Sequence, residues 1–202
     1  MNLSLFPLNT VLFPGCLLDL QIFEARYLDM ISRCMKQDEG FGVVCILEGQ
    51  EVGQAAGHFS AIGCEARICD FQQRPNGLLG IRVEGGRRFR VRRAQVLPDQ
   101  LTVAEIEWLE EAAEQPLGLE HADLVALLEA LAEHPLVAAL GMTDAVSGQA
   151  ALANQLAYLL PLALEQKLQL LELDTPQARL TQLQTWLDQL QGEGEGGAVQ
   201  ES

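Results

Sequence analysis

The chain has 202 residues, of which 49% are hydrophobic and 20% are charged, a composition typical of a globular protein. It has no apolar run of the roughly 20 residues needed to cross a membrane, no signal-peptide pattern at its start, and five cysteines without a disulfide-type spacing. These features exclude a membrane span, a fibre and a secreted disulfide-stapled protein, and they indicate a cytoplasmic one.

The charge is unevenly distributed along the chain. The formal net charge is −15; residues 1–93 hold 11 basic and 10 acidic residues, whereas residues 94–202 hold 2 basic and 18 acidic ones. The first half is therefore nearly neutral and the second half strongly acidic. Because binding to a phosphate backbone needs a positive footprint, this balance disfavours nucleic acid as a partner.

The first half of the chain has the pattern of short strands around one helix. Apolar runs or period-two alternation predict strands over residues 41–47, 78–83, 89–92 and 102–108. The sequence Pro-Asn-Gly at 75–77 and the pair Gly85 and Gly86 are interpreted as turns. Apolar residues three and four apart predict a helix over 23–37. Strands that mostly lack crossover helices indicate a small antiparallel barrel.

From Pro116 onward the apolar spacing becomes helical. Four helices are predicted: one that ends at His134 and Pro135, one over 148–160, one over 164–173, and a last one with Thr175 as N-cap and Pro176 at its first position. The Gly- and Glu-rich end is typical of a disordered tail. We therefore expect a barrel subdomain with one helix at 1–115, a helical-bundle subdomain at 116–191 and a disordered acidic tail at 192–202.

No combination of residues indicates a catalytic, cofactor or metal site. Neither lysine follows a glycine, as a phosphate-binding P-loop requires, and no Gly-x-Ser-x-Gly motif occurs. His121 and His134 would point to opposite sides of a helix, and Cys64 and Cys69 to opposite faces of a strand. The sequence thus predicts a protein that is not an enzyme and has no cofactor or metal, with its cysteines buried as small hydrophobic residues.

The most unusual stretch is the arginine-rich segment 87–93. On a strand, Arg88, Arg90 and Arg92 share one face, and one interpretation is an anion or nucleic-acid site. The other is a ladder of ion pairs with strand 102–108. A four-residue connection at 97–100 would place Arg90 opposite Glu107, Arg92 opposite Glu105, Val91 opposite Ile106 and Phe89 opposite Trp108. We favour the ladder, because a shift by one residue would set arginines against apolar neighbours.

Several separated motifs resemble the N-terminal domain of Lon proteases. They are LFPLNTVLFPG at 5–15, IFEARY at 22–27, FGVV at 41–44, VEGGRRFRV at 83–91 and LPL at 160–162. They occur in the family's order, and the resemblance covers about residues 3–190. One departure is Ala178, where the family often has a glutamate that completes a capping box. Within the second motif, Glu24 and Arg26 are two residues apart, so we expect them to have separate partners.

The resemblance implies an α+β fold, in which a PUA-like antiparallel β pseudo-barrel is followed by a C-terminal helical bundle. In full-length Lon proteases this part helps to recognise and hold protein substrates, while separate ATPase and protease modules perform the chemistry. The chain resembles a stand-alone member without those modules, so the resemblance implies neither ATPase nor protease activity.

The leading hypothesis is a non-catalytic module that binds unfolded or partly folded polypeptides, with a protease assembly as a further partner. The polypeptide would lie in a groove between barrel and bundle or along a free strand edge. Candidate binding residues, most of them expected in the core, are Phe23, Tyr27, Phe41, Phe89 and Trp108. The alternatives are RNA binding through Arg88, Arg90 and Arg92, by analogy with the fold, and an enzyme with an uncharacterised site. The sequence indicates neither a membrane partner nor an oligomeric state.

Overall fold

The computed structural model describes residues 1–48, 51, 53, 57–73, 78–142 and 146–196. The first half of the chain contains, in order, β1 (Asn2–Leu8), β2 (Leu17–Ile22), α1 (Ala25–Gln37), β3 (Phe41–Glu48), β4 (His58–Gln73), β5 (Leu79–Val96) and β6 (Thr102–Trp108). The predicted turn at 75–77 lies outside the described residues.

The six strands form one mixed sheet that closes on itself. Its order is β2-β5-β4-β3-β1-β6, and an additional pairing between β5 and β6 closes five strands into a ring, with β2 attached to β5. The α+β class and the barrel are as predicted. The expectation of an antiparallel barrel is wrong for one pair, because β1 and β3 run parallel, with Leu5 opposite Gly42. The segment between them, which includes α1, is long enough for the crossover that a parallel pair needs.

The glycine pair Gly85 and Gly86 does not form the predicted turn. Both residues lie inside β5, which runs for 18 residues and pairs with β2, β4 and β6. Gly85 exchanges two backbone hydrogen bonds with the loop before β2: the Gly15 N–H donates to its carbonyl at 2.8 Å, and its own N–H donates to the Cys16 carbonyl at 2.9 Å. Two of the motifs found in the sequence, at 5–15 and 83–91, therefore meet directly.

The predicted pairing of β5 with β6 is confirmed for three residue pairs and wrong beyond them. The confirmed pairs are Phe89 with Trp108, Arg90 with Glu107 and Val91 with Ile106. A bulge then shifts the register, so that Arg93 rather than Arg92 lies opposite Glu105. Arg92 instead forms an ion pair with Glu107. The bulge adds one residue to β5, and the connection to β6 spans residues 97–101 instead of 97–100.

The second half of the chain is helical. Its elements are a 3₁₀ turn (Leu119–His121), α2 (Ala122–Ala132), α3 (Pro135–Ala138), α4 (Gln149–Leu159), α5 (Leu164–Glu172) and α6 (Pro176–Gly196). Thr175 caps α6 as predicted, since its hydroxyl accepts the N–H of Ala178 at 3.2 Å. Residues 192–196 are helical, unlike the disordered tail expected there, and 197–202 lie outside the described residues. Within the described ranges, no helix is long and apolar enough to span a membrane.

The barrel and the helices share a hydrophobic core. One buried cluster contains Phe13 from the first half of the chain together with Leu156 of α4 and Leu183 of α6. The strands end at Trp108 and helical structure resumes at Leu119. The division into subdomains at 1–115 and 116–191 stays a prediction, and the shared core means that each part covers apolar surface of the other.

The five cysteines differ in exposure in a way that a thiol reagent can test. Cys69 is exposed, contrary to the expectation, while Cys16, Cys34, Cys45 and Cys64 are buried. Burial raises the pKa of all five thiols. The difference between them is access, because burial keeps reagents away from these four and leaves Cys69 within reach. We expect a chromogenic aromatic disulfide to react quickly with about one thiol in the native protein and with five after unfolding. The Cys69→Ser variant should lose the fast phase, and rapid reaction of two or more native thiols would contradict the described burial.

Candidate functional site

A groove of about 490 Å³ lies on the barrel half of the chain. It opens between the end of α1, the last part of β4 and the first residues of the chain, and Arg87 and Trp108 also line it. No described residue after Trp108 contributes to its lining. The groove therefore differs from the one between barrel and helices that was expected from the sequence, although its volume is typical of a ligand site.

One wall of the groove is an edge of β4 that no strand of the described residues covers. Strand β3 pairs with β4 only as far as Phe41, which lies opposite Ala66. Before that point the chain turns out of α1 through Asp38, which has a left-handed backbone conformation with φ of 53°. The segment 67–71 of β4 pairs with β5 on one side, and no described strand pairs with its other side. Backbone N–H and C=O groups along such an edge can accept an additional strand.

Exposed apolar side chains surround this edge. Met1 is 68% exposed, Met35 at the end of α1 is 46% exposed, and Phe71 on β4 is 58% exposed. All three line the groove, together with charged side chains. Exposed large apolar residues that are grouped and rimmed by polar ones are typical of an interaction surface.

A buried glutamate forms part of the groove wall. Glu65 is only 6% exposed, and its carboxylate fits between two glycines. A Cβ atom at Gly86 would lie 2.6 Å from Glu65 Oε2, and one at Gly40 would lie 2.9 Å from Glu65 Cγ. The Nε atom of Arg67 is 3.3 Å from Oε2, yet Oε2 accepts no hydrogen bond within the described part of the chain. The groove thus contains a buried acceptor that is not satisfied.

An aromatic contact holds a second arginine at the groove. The guanidinium carbon of Arg87 lies 4.1 Å from the centroid of the Trp108 ring, a cation–π arrangement. Trp108 in turn makes an edge contact with the buried Phe89, with 6.1 Å between ring centroids. The core therefore fixes Trp108, and Trp108 fixes the position of the Arg87 charge.

A smaller pocket of about 250 Å³ lies beside β2 and is lined by Phe23 and Tyr27. Burial raises the pKa of Tyr27 to about 12, and the Arg26 guanidinium lies 4.7 Å from its ring centroid. Glu24 and Arg26 form an ion pair at 3.0 Å, so the expectation that they have separate partners is wrong. Glu24 has an extended backbone just before α1, and the helical spacing rule does not apply to it.

The five aromatic candidates do not form one binding surface. Phe41 and Phe89 have no exposed surface and belong to the core, so they are not accessible to a partner. Tyr27 is also buried, and Trp108 is partly buried beneath Arg87. Phe23 is exposed at the smaller pocket, whereas Trp108 lines the larger groove.

The three candidate anion-binding arginines do not form an exposed basic face. Arg88 has no exposed surface and forms an ion pair with Glu111 at 2.8 Å. Arg90 is partly buried and lies opposite Glu107, which also pairs with Arg92. Carboxylates thus neutralise Arg88 and Arg92 locally. This geometry favours the ion-pair ladder for part of the segment and gives no support to a phosphate-binding surface there.

A family model described as the ATP-dependent protease La (LON) substrate-binding domain matches residues 2–189. The chain belongs to this family. Among solved structures, the Lon N-terminal domain protein from Xanthomonas campestris has 38% sequence identity and a TM-score of 0.75, over 92% of this chain and 98% of that chain. The N-terminal domain of the Mycobacterium avium complex Lon protease has a TM-score of 0.62 over 92% of this chain and 97% of that chain; at 19% identity it shows the fold alone. The comparison with curated proteins gives no match.

The sequence motifs predicted the Lon family, but they did not predict that Met35, Glu65 and Phe71 line a groove. A glutamate between apolar residues in a strand looks like a solvent-facing residue, and Met35 and Phe71 look like core. One usable signal is that Glu65 and Arg67 are two residues apart and therefore share a strand face. The structure brings these two side chains together beside the unpaired edge of β4.

Proposed function

We propose that this Lon-family domain binds extended polypeptide segments in the groove beside β4, and that it contributes recognition rather than catalysis to ATP-dependent proteolysis. The observation that carries the proposal is the unpaired edge of β4 at 67–71, which opens onto the 490 Å³ groove between exposed Met35 and Phe71. The family is defined as a substrate-binding domain, and this surface offers both backbone and apolar contacts to a polypeptide.

Two kinds of contact would hold an added strand. Its backbone would form hydrogen bonds with the β4 edge whatever its sequence, and every second side chain would point into the groove. Met35 is suited to varied side chains, because methionine is unbranched, flexible and polarizable. Unfolded or partly folded polypeptides fit this role best, since folded proteins usually keep their strand edges paired or covered.

Replacing Met35 and Phe71 together by alanine should weaken polypeptide binding about tenfold, because truncating apolar contacts at the centre of an interface commonly costs more than 1 kcal/mol. The measurement is a fluorescence anisotropy titration with fluorescein-labelled α-lactalbumin that has been reduced and carboxymethylated so that it stays unfolded. The matched control is Leu136→Ala, which truncates an exposed apolar residue on α3, outside the groove.

The control variant should bind like the unmodified protein. Equal weakening by the control and the double variant would place binding elsewhere, and absence of binding by the unmodified protein would refute the proposed function.

A further inference from the structure

The group in the groove that most clearly selects a type of ligand is the Glu65 carboxylate. Its residue is more than nine-tenths buried, it lines the groove, and its Oε2 atom has no hydrogen bond from the described residues. Burying an ionised carboxylate is costly unless a charged or hydrogen-bonding partner compensates it. A hydrogen-bond donor from a bound ligand would therefore supply the hydrogen bond that Glu65 Oε2 lacks.

The space around this carboxylate is built into the backbone. Gly40 lies just before β3 and Gly86 lies within β5, and a Cβ atom at either would be 3.0 Å or less from an atom of the Glu65 side chain. Two elements thus leave room for one charged side chain between them. A side chain at either glycine would obstruct the position that Glu65 occupies in the groove wall.

Among the described residues, Arg67 is the cation that forms an ion pair with Glu65, and this ion pair is weak. Its side chain is 65% exposed, and the 3.3 Å approach of Nε to Oε2 is not a hydrogen bond. The pair is worth little, because water competes for the exposed Arg67 guanidinium. A cation that arrives with a bound polypeptide, and is covered by it, would interact with the same carboxylate in a drier environment.

The charges of the remaining lining favour a positive ligand. Its carboxylates are Asp38, Glu39, Glu65 and Asp70, whereas its guanidinium groups are those of Arg67 and Arg87. Arg87 is stacked on Trp108, and the amino group of Met1 lies 3.5 Å from the Ile106 carbonyl. Four carboxylates against two guanidinium groups leave an excess of two negative charges on the side chains, and of one when the Met1 amino group is counted.

We propose that the groove selects polypeptide segments that carry a lysine or arginine side chain, whose cation binds Glu65 in place of Arg67. This inference rests on the proposed function, since it names the side chain that a bound segment presents at this groove. The bound cation would complete the hydrogen bonding of Oε2, and Arg67 would turn to solvent, where most of its side chain already lies.

The test uses three fluorescein-labelled peptides with blocked ends that differ in one central residue, which is arginine, citrulline or glutamate. Citrulline keeps the shape of arginine without its charge. The arginine peptide should bind about tenfold more tightly than the citrulline peptide, as expected for a charge-assisted hydrogen bond to a buried carboxylate, and the glutamate peptide should bind most weakly. Blocked ends ensure that the side chain, and not a terminal amino group, supplies the cation.

Two variants test whether Glu65 and Arg67 determine the preference for the arginine peptide. Glu65→Gln should reduce the ratio of arginine-peptide to citrulline-peptide affinity to about one, because the charge that distinguishes the two peptides loses its partner. Arg67→Ala should strengthen binding of the arginine peptide severalfold, because it removes the competing cation. The control is Glu129→Gln, which removes an exposed carboxylate on α2. It should change neither the affinity for the arginine peptide nor the ratio of arginine-peptide to citrulline-peptide affinity.

The outcomes separate this inference from the proposed function. If all three peptides bind with equal affinity, the preference for basic side chains is refuted and polypeptide binding stands. If neither the peptides nor unfolded α-lactalbumin bind, the proposed function fails and this inference fails with it. If circular dichroism shows that Glu65→Gln does not fold, the Arg67→Ala variant provides the test instead. Binding of the arginine peptide to Arg67→Ala with unchanged affinity would overturn the proposal that the peptide cation replaces Arg67 at Glu65.

Discussion

Replacing Arg88 by alanine should lower the free energy of unfolding by about 3–5 kcal/mol, because it removes a large, fully buried side chain together with its hydrogen bonds. The Arg88 guanidinium donates to Glu111 at 2.8 Å and to the carbonyls of Leu171 and Leu173, each at 2.7 Å. These carbonyls lie at the end of α5, where a helix has no internal donors for them. One side chain of β5 thus satisfies the end of a helix. Alanine would leave a cavity and would remove the side-chain donor of the Leu171 carbonyl, whereas the Leu173 carbonyl would keep its hydrogen bond from Arg179 at 3.0 Å.

Urea unfolding monitored by circular dichroism measures this loss. The matched control is Arg92→Ala on the same strand, whose ion pair with Glu107 is exposed on both sides and should contribute less than about 1 kcal/mol. Equal losses for the two variants would show that the buried contacts of Arg88 do not stabilise the fold more than a surface ion pair does.

Replacing Gly85 by alanine should destabilise the fold by about 3 kcal/mol, at the upper end of the usual cost of adding a methyl group to a packed interior. The new Cβ atom would overlap the carbonyl oxygen of Phe13 and lie 2.8 Å from its carbonyl carbon. Because these are backbone atoms, no side-chain rotation can relieve the contact. The loop would have to move, and both hydrogen bonds between Gly85 and residues 15–16 would be strained.

The control for this prediction is Gly57→Ala, which adds the same methyl group where no described residue other than its chain neighbours has an atom within 4 Å. It should change the free energy of unfolding by no more than about 0.5 kcal/mol, as surface substitutions usually do. Thermal unfolding of both variants provides the comparison. A Gly85→Ala protein that melts within a degree or two of the control would mean that the contact between β5 and the loop is looser than described.

The sequence predicted the fold best where local pattern and burial agree. Phe89 and Val91 alternate with arginines, and this alternation determines the first three pairs with β6. The bulge at Arg92 could not be predicted in the same way, because alternation assumes that each residue occupies one position of the ladder. The long strand β5 was also missed, since a glycine pair usually marks a turn and here instead admits another part of the backbone.

The candidate site was predicted less well, for a related reason. The alternation of residues along a strand predicts on which face of the sheet a side chain lies, but it does not predict which part of the chain packs against that face. The end of α5, more than 80 residues away in sequence, covers Arg88, and two glycines from separate segments enclose Glu65. Charged residues are rarely buried without partners. The carbonyls that bind Arg88 and the glycines that make room for Glu65 come from distant parts of the chain, and no local window of sequence contains them.

The closure of the barrel sets an order of events during protein synthesis. Asn2 at the start of β1 pairs with Glu105 of β6, about a hundred residues later. At a translation rate of about 5–20 residues per second, β1 waits roughly 5–20 s after its own synthesis before β6 has been made. Its parallel partner β3 becomes available earlier, and the Leu171 and Leu173 carbonyls, which bind Arg88, emerge only after β6. The nascent chain therefore carries an incomplete barrel, with an open edge on β1, until more than half of its residues have left the ribosome.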